Sequence, residues 1–529
     1  MWGIEKRKVM EEIKYPVDSA NFRRIREGGF VYVDKTSYIH RMVSKGTYYF
    51  LARPRRFGKS LFLDTLAEYF KGSRELFKGL AIDKLQPGDW EEYPVLRFNL
   101  SGQAYNEKDI LESSLNSDIK KHTRKYEVEI EEENLYSRLL QLIEGINIKT
   151  GKKVVILIDE YDSPLTSAIG KPDLQEHYRE TLHGFYSVLK KAEEYIQFCM
   201  LTGVTRYGKV SVFSGLNNLN DITFENAYAG ICGITKEELT QYYDEGIGEF
   251  ADYKGITKEE AYELLKFHYD GYHFSGCLLD IYNPFSINHA LSKKEISDYW
   301  CKSGVPTLLS KTLMENDYYV EELTGLKVDS QELSNLSIYH TNPIPLFYQS
   351  GYLTLKDYNP RRQRFTLGYP NREVESGILN NILNFYVPGK RSQQNTVYSL
   401  EDAFEDGDPE KVVKILKAFM ADIPSKLHMR VDRYENYYHT IFYCLVKLIG
   451  LDIDAEYNTS EGFIDIVIKT EKYIYVIELK VNGTAEEALR QIEEKHYCAP
   501  FEADPRRLYK IGIGFSTESH SIEDSKIES

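Results

Sequence analysis

The chain has 529 residues, 42% of them hydrophobic and 28% charged, which is typical of globular proteins and too long for a single core. No apolar run approaches the roughly 20 residues of a membrane-spanning helix, and the N-terminus lacks the apolar core of a signal peptide, so we expect a cytoplasmic protein. A net charge of -15 argues against broad, non-specific nucleic-acid binding by the whole surface but allows a local basic groove.

The first element with chemical content is a loop between a predicted strand and a predicted helix. TYYFLA (47–52) is short and β-prone, and LFLDTLAEYF (61–70) has apolar residues at helical spacing. Between them, RPRRFGKS (53–60) ends like the phosphate-binding pattern G-x-x-x-x-G-K-[ST], with Arg53 at the position of the first glycine. Because a helix N-terminus favours an anion, the sequence predicts an ATP site here.

Individual residues of this loop have expected roles. We expect Lys59 to contact the outer phosphates and the Ser60 hydroxyl to coordinate Mg2+. Arg55 and Arg56 add positive charge beside the phosphates. The expected nucleotide-binding residues of the loop are Arg55, Arg56, Phe57, Gly58, Lys59, Ser60 and Leu61. The alternative is a chance Gly-Lys-Ser sequence at the start of a helix.

A buried strand that ends in two acids supports the nucleotide site. KKVVILIDEYDSP (152–164) contains five consecutive apolar residues and then Asp159-Glu160, a pattern typical of a parallel strand buried on both faces. Ligands bind at the carboxyl ends of such strands. We expect Asp159 to hold the Mg2+ shell and Glu160 to act as the catalytic residue that orients or activates the attacking water. The alternative is a pair of acids that cap the strand in solvent.

Two further segments complete an alternating α/β pattern with a parallel sheet. PVLRFNLS (94–101) is predicted as one strand, and YIQFCMLTGVTRYG (195–208) as another that ends at Thr202. Two roles are open for Thr202. As a nucleotide-binding residue it would face the γ-phosphate or the attacking water, and otherwise it would form a turn at the strand end. For Arg206 we expect a solvated surface position rather than a role as nucleotide sensor.

The N-terminal half resembles the bacterial AAA-ATPase-like proteins. The resemblance rests on FRRIREGGFVYVDKTSYI, FLARPRRFGKSLFLDTLAEYF, VVILIDEYDSP and LTGVTRYGKVSVFSGLNNLNDIT. It covers residues 15 to about 290, and FHYDGYHFS (267–275) and YNPFSI (282–287) continue it in an expected helical lid. RPRRFGKS looks like that family's own form of the motif. The resemblance implies a P-loop NTPase fold with an additional catalytic Glu, and typically a C-terminal PD-(D/E)XK nuclease-like domain.

The middle of the chain predicts helices and a β-hairpin. YLTLKDY and RFTLGY, within residues 346–371, have strand character around an Asn-Pro turn, and a helix is expected over 372–387. This combination indicates a winged-helix-like module with Arg361, Arg362 and Arg364 on the wing. A solvated loop is favoured there over a contact with DNA.

The last domain is predicted to follow the order αβββαβ. Its expected elements are a helix over 433–450, strands over 451–457, 463–469 and 473–481, a helix over 484–497 and a strand over 508–515. The spacing of Thr484 and Glu487 predicts a capping box at the start of the second helix.

The chemistry of this domain depends on the register of one hairpin. We assume a two-residue turn at Thr470-Glu471, which pairs Asp465 with Val476. Asp465 and Glu478 are then diagonal neighbours on one sheet face, where both carboxylates can coordinate one Mg2+ with Lys480 beside it. A slip of one residue would move Asp465 to the opposite face.

Asp465 and the run Glu478-Leu479-Lys480 resemble the pattern of the PD-(D/E)XK nuclease fold. The resemblance implies phosphodiester hydrolysis, with the two acids as Mg2+ ligands and the lysine stabilising charge or positioning the nucleophile. It also matches Gln491 on the following helix and Glu435 on the first helix to polar positions of such domains. Phe463 is a departure, because the family often has an arginine there.

Three parts are predicted along the chain: an AAA-ATPase-like P-loop domain with a helical lid over 1–290, a helical or winged-helix-like connecting module over 291–395, and a restriction-endonuclease-like domain over 396–529. We expect ATP and Mg2+ as cofactors and DNA as the partner, in nucleic-acid processing or defence, without a membrane partner. The sequence leaves the oligomeric state open. The alternative is an ATP-dependent switch or scaffold whose nuclease-like domain binds without cutting, which the acidic net charge and Phe463 favour.

Overall fold

The computed structural model of the protein describes residues 12–207, 212–213, 216, 218–303, 320–334, 342–387, 393–421, 434–450, 452–459, 462–516, 518–519 and 521–529. The chain forms two compact units. The first comprises Met1–Gly304 and Thr324–Glu375, and the second comprises Val305–Leu323 and Ser376–Ser529. The three-part division with bounds at 290 and 395 stays a prediction. None of the helices in these ranges is both long and apolar enough to cross a membrane.

A five-stranded parallel sheet lies at the centre of the first unit, in the order β2-β3-β4-β1-β5. Its strands are β1 (Tyr48–Ala52), β2 (Val95–Asn99), β3 (Val154–Asp159), β4 (Ile196–Gly203) and β5 (Asn220–Asp221). Every residue of β3 is buried, as its continuous apolar run predicts. Because β1, β4 and β3 are parallel and only β4 separates the other two, the loop after β1 and the acids at the end of β3 lie at the same edge of the sheet.

Helices surround this sheet and continue into the lid. Those of the sheet region are Phe22–Glu27, Thr36–Lys45, Lys59–Phe70, Ala81–Leu85, Asp109–Tyr126, Leu135–Thr150, Ser163–Ser167 and Pro172–Lys191. The lid contains helices Lys236–Lys254, Lys258–Tyr269 and Pro284–Lys293 and the paired strands β6 (Ile234–Thr235) and β7 (Ile281–Tyr282). The buried faces of the lid helices form a hydrophobic cluster of their own.

The predicted hairpin of the middle segment is confirmed and gains a third strand. The sheet has the order β8-β10-β9, with β8 (Lys327–Asp329), β9 (Thr354–Asn359) and β10 (Arg364–Gly368) all antiparallel. The helices of this part of the chain are Ser330–Ser334, Ile344–Gln349 and Arg372–Tyr386.

The second unit contains a five-stranded sheet in the order β11-β12-β13-β14-β15. Its strands are β11 (Asp452–Thr459), β12 (Gly462–Lys469), β13 (Tyr473–Val481), β14 (Arg507–Ser516) and β15 (Ser521–Glu528). Its further helices are Gln393–Glu405, Pro409–Ala421, Tyr434–Ile449 and Ala485–Glu494. The αβββαβ order and the capping box of Thr484 with Glu487 are confirmed. Strand β15 was not predicted from the sequence.

The β12–β13 hairpin differs from the assumed register by two residues. Val467, not Asp465, lies opposite Val476, so the assumed pairing is wrong. The turn lies at Glu471-Lys472, one residue later than assumed, because the Thr470 amide donates a hydrogen bond to the Tyr473 carbonyl at 2.9 Å. The Thr470 hydroxyl also accepts hydrogen bonds from the amides of Lys472 and Tyr473, at 3.3 and 3.0 Å. A shift of two residues leaves every side chain on its predicted face, so the two acids still share a face.

Candidate functional site

The loop before helix Lys59–Phe70 is anchored by a buried arginine. Arg53 is 1% exposed, and its guanidinium donates hydrogen bonds to the carbonyl groups of Thr223 and Tyr228, at 2.8 and 3.2 Å. The ring of Phe274 lies 4.4 Å from the Arg53 guanidinium carbon. Arg53 therefore ties the start of the loop to the segment after β5.

Left-handed backbone conformations occur at Arg56 and Gly58, with φ of 64° and 97°, and not at Arg53. The position where the usual pattern has its first glycine thus needs no glycine in this chain. Phe57 is buried, with its ring centroid 4.7 Å from that of Tyr272, and its carbonyl accepts a hydrogen bond from the Gly233 amide at 2.9 Å. The loop is held as a fixed turn.

Two other predicted loop residues lie in the first turn of the helix, and the two arginines lie outside. Ser60 and Leu61 are half-buried, whereas Arg55 and Arg56 are exposed. The Arg56 guanidinium stacks on Phe285 at 3.9 Å from the ring centroid. The Arg55 carbonyl accepts a hydrogen bond from the indole N–H of Trp300 at 3.0 Å. Residues beyond the sheet region therefore touch the loop directly.

Lys59 lies inside the loop. Its side-chain nitrogen donates hydrogen bonds to the carbonyl groups of Arg53 and Pro54, both at 2.9 Å, and the residue is 5% exposed. Burial lowers the pKa of Lys59, and the nearby carboxylates of Asp159 and Glu160 partly offset that effect. When a phosphate binds, the Lys59 side chain would exchange these two carbonyl acceptors for a charged phosphate oxygen, which forms a stronger hydrogen bond.

The acids at the end of β3 have different surroundings. Asp159 is 6% exposed and accepts a hydrogen bond from the Thr202 hydroxyl at 2.7 Å. Glu160 is half-buried with a left-handed φ of 52°. Burial raises the pKa of Glu160, Lys59 opposes this rise, and Asp159 adds to it. Thr202, expected to face the phosphate or to form a turn, holds the Asp159 carboxylate in this structure.

The expected solvated position of Arg206 is wrong. Its side chain is 14% exposed and forms an ion pair with Asp221 of β5, a two-residue strand that no sequence pattern predicted. Sequence reasoning also missed Asp162, which is 2% exposed and accepts a hydrogen bond from the Val204 amide at 3.2 Å. The available signal was its position, because Asp162 follows Asp159 and Glu160 directly after the buried strand β3.

An apolar pocket adjoins the loop on the side of the lid. Its lining includes Val31, Val33, Leu61, Phe62, Ile234 and Pro284. Lys35 also lines it and forms a largely buried ion pair with Glu238, at 2.6 Å. The pocket borders Gly58, so a group bound at the helix N-terminus could extend into it.

A second site lies where β12 and β13 separate. Their pairing ends at Ile466 opposite Ile477, and beyond it a carboxylate oxygen of Asp465 accepts a hydrogen bond from the Leu479 amide at 2.7 Å. Continuing the register by one residue places Asp465 opposite Glu478, whose Oε2 lies 3.5 Å from the Asp465 amide nitrogen. The two acids are therefore direct rather than diagonal neighbours.

Glu478 is held by the two other polar residues predicted for this site. It is 1% exposed, and its Oε1 accepts hydrogen bonds from the side chains of Gln491 and Lys480, the latter at 3.3 Å. Lys480 also donates to Gln491 at 2.5 Å. Burial raises the pKa of Glu478 to about 7, and the Asp465 carboxylate adds to this effect. The side chains of Glu435 and Phe463 lie outside the described part of the chain.

Glycines of β14 allow the helix that carries Gln491 to lie close to the sheet. A Cβ atom on Gly512 would stand 2.3 Å from the Ala485 carbonyl oxygen, and one on Gly514 would stand 2.7 Å from the Gly483 carbonyl oxygen. Gly512 pairs with Glu478 in the parallel ladder. This close approach brings Gln491 within hydrogen-bonding distance of Glu478.

Comparison with known proteins matches both ends of the chain to protein families. A family model described as "Predicted AAA-ATPase" matches residues 16–213, and one described as "PD-(D/E)XK nuclease superfamily" matches residues 433–525. A protein of Azotobacter chroococcum mcd 1, named "Uncharacterized protein in vnfD 5'region", is 32% identical over 528 residues, which cover 98% of this chain and 100% of that protein. The chain belongs to the AAA-ATPase-like family. The resemblance and the fold class inferred from the sequence are confirmed.

The nuclease-like site of this AAA-ATPase-like protein has donors that suit a hard cation. Two carboxylates share one sheet face, and the raised pKa of Glu478 shows that a second positive partner would stabilise its charged form. Within the described residues, no group of three or more His, Cys, Asp or Glu side chains could hold a metal ion. Asp465 and Glu478 would therefore share Mg2+ with water and substrate oxygens, which is usual for this ion.

The pKa of Glu478 predicts how Mg2+ changes stability with pH. Because the folded-state pKa of about 7 exceeds the ordinary 4.5, the stability that this proton provides is full below about pH 4.5 and is lost as the pH rises to about 7. Mg2+ competes with that proton. We expect Mg2+ to raise the melting temperature more at about pH 8 than at about pH 5.5.

Thermal melting of wild type and Glu478→Gln, with and without Mg2+ at both pH values, checks this. The variant cannot titrate at this position and loses a charged ligand, so the pH-dependent part of the Mg2+ effect should disappear. Comparing the two proteins cancels the contributions of other buried acids and of the loop around Lys59. An equal Mg2+ effect in both proteins at both pH values would contradict the assignment.

Proposed function

We propose that the protein binds MgATP in its first unit and hydrolyses it, and that its second unit cuts DNA in a Mg2+-dependent reaction, in nucleic-acid processing or defence in the cytoplasm. The observation that carries the ATPase proposal is that the loop with Lys59 and the acids Asp159 and Glu160 meet at one edge of a parallel sheet. Ligands of open α/β sheets bind at such an edge.

Each polar group of the first site has a task in hydrolysis. Lys59 stabilises charge on the outer phosphates, and Ser60 and Asp159 hold the Mg2+ shell. Thr202 fixes the Asp159 carboxylate through its 2.7 Å hydrogen bond. The raised pKa of Glu160 makes it a better proton acceptor from water than an ordinary carboxylate.

We expect Glu160→Gln to bind MgATP with unchanged affinity and to hydrolyse it at least about 100-fold more slowly, since the amide keeps the shape but cannot accept the proton. Binding by calorimetry and phosphate release measured on the same preparation check this. Glu180→Gln is the matched control, because Glu180 is an exposed acid of helix Pro172–Lys191. Hydrolysis at the wild-type rate in Glu160→Gln would assign water activation to another residue.

The second site has the residues for phosphodiester hydrolysis. Asp465 and Glu478 would hold a Mg2+ ion there, which would polarise the phosphate and lower the pKa of a bound water. Asp465 and Glu478 present two carboxylates on one face, and Gln491 orients both Glu478 and Lys480. Lys480 lies 3.3 Å from Glu478 and can stabilise negative charge on the phosphate.

The second candidate function is an ATP-dependent switch or scaffold whose nuclease-like domain binds DNA without cutting it. The internal pairing of Glu478 with Lys480 and Gln491 favours this candidate, because one Glu478 oxygen already has partners. An assay of single-stranded, duplex and branched DNA with Mg2+, with and without ATP, separates the two. Binding without cleavage under all these conditions supports the switch.

A further inference from the structure

The turn of the β9–β10 hairpin carries three arginines whose charge is not neutralised. Arg361, Arg362 and Arg364 are exposed, and within the described residues none of their guanidinium groups forms an ion pair. Four of the five charged residues from Tyr352 to Gly368 are basic, in a chain with a net charge of -15. The turn is therefore a local positive surface on an acidic protein.

The acids nearest to these arginines along the sheet bind backbone amides instead. Asp329 lies opposite Arg364 in the β8–β10 pairing, but its Oδ1 accepts hydrogen bonds from two amides at the start of helix Ser330–Ser334, at 2.9 and 2.8 Å. Asp357 accepts a hydrogen bond from the Tyr358 amide at 2.8 Å. Neither carboxylate forms an ion pair with the turn, so its positive charge is available to a partner.

The hairpin holds this turn in a defined shape. Tyr358 and Phe365 stack across the two strands, with ring centroids 4.6 Å apart. The Arg362 amide donates a hydrogen bond to the Asn359 side chain at 3.1 Å, and Gln363 has a left-handed φ of 51°. A fixed backbone reduces the ordering entropy that a partner must overcome on binding.

We propose that Arg361, Arg362 and Arg364, the arginine turn, contact the phosphate backbone of duplex DNA. Guanidinium groups bind phosphate oxygens with paired hydrogen bonds, and a two-stranded ribbon fits into a DNA groove. DNA as the partner rests on the proposed function, because an acidic protein that cuts DNA needs a local positive surface to hold it. The sequence alone favoured a solvated loop, whereas the unpaired arginines on a fixed hairpin favour the contact.

Binding of the full chain to a fluorescent 30-base-pair duplex, without Mg2+ so that nothing is cut, tests the proposal. The triple variant R361A/R362A/R364A should bind roughly tenfold or more weakly at about 0.1 M salt. The slope of log affinity against log salt should become shallower by about one per arginine removed. The control is K120A/R124A/K125A, which removes the same charge from exposed positions of helix Asp109–Tyr126.

The outcomes separate this inference from the proposed function. Loss of affinity and salt dependence in the arginine-turn variant, with little change in the control, supports the contact. Equal losses in both triple variants overturn it, since net charge alone would then explain binding. If wild type binds DNA and the arginine-turn variant binds equally well with the same slope, the inference fails and the proposed function stands. If wild type binds no DNA, the proposed DNA function fails as well.

Discussion

Lys59→Ala is expected to weaken ATP binding by at least about 100-fold, because charged hydrogen bonds to phosphate of the kind that it removes contribute roughly 1.5–3 kcal/mol each. Lys59 is 5% exposed, so its charge acts in a poorly solvated place. The neighbouring Asp159 and Glu160 would then face the phosphates without the buried cation that now lies beside them. Calorimetric titration with MgATP measures the loss.

The matched control is Lys71→Ala, which removes the same charge just after the far end of the same helix. The Lys71 side chain is 41% exposed and pairs with Glu68 at 2.7 Å. Because Lys59 also bonds two loop carbonyls, thermal melting must show that the Lys59→Ala protein is folded. Intrinsic tryptophan fluorescence, to which Trp300 contributes through an indole that donates to the Arg55 carbonyl, offers a second measure of binding. Unchanged affinity in folded Lys59→Ala would rule out the nucleotide site.

The sequence predicts those parts of the structure whose conformation depends on residues close together in the chain. The apolar run of β3 specifies a strand buried on both faces, and the polar residues after it therefore lie at its end. Thr484 and Glu487 specify the start of a helix through a local capping box. The face shared by Asp465 and Glu478 was also predictable, because side chains alternate along a strand whatever the exact turn.

The parts that the sequence did not predict depend on contacts between distant segments. Arg206 looks solvated in its own segment, and only the pairing of β5 with β1 brings Asp221 to it. Arg53 departs from the usual loop pattern, and the reason lies in a distant segment, because its guanidinium donates to the Thr223 carbonyl, 170 residues away in the chain. The hairpin register required the side-chain hydrogen bonds of Thr470, which no periodicity encodes.

Asp465→Ala and Glu478→Ala are each expected to abolish Mg2+-dependent DNA cleavage while ATP hydrolysis continues at the wild-type rate. The two acids are direct neighbours across β12 and β13, and a cation shared by two carboxylates is not held by one of them alone. The residues that we propose for ATP hydrolysis lie in the other unit of the chain. Cleavage of duplex, single-stranded and branched DNA and phosphate release, measured on the same preparations, check both statements.

Two further variants make this comparison specific. Glu493→Ala removes an exposed acid of the helix that carries Gln491 and should cut DNA like wild type. Lys480→Ala should reduce cleavage more than it reduces stabilisation by Mg2+, because a lysine does not ligate Mg2+ but stabilises negative charge on the phosphate. If folded wild type cuts none of these DNAs with or without ATP, the nuclease proposal fails and the switch replaces it. If wild type and Asp465→Ala cut equally, the nuclease site lies elsewhere. A site at Glu478 needs the Asp465 carboxylate as its second metal ligand.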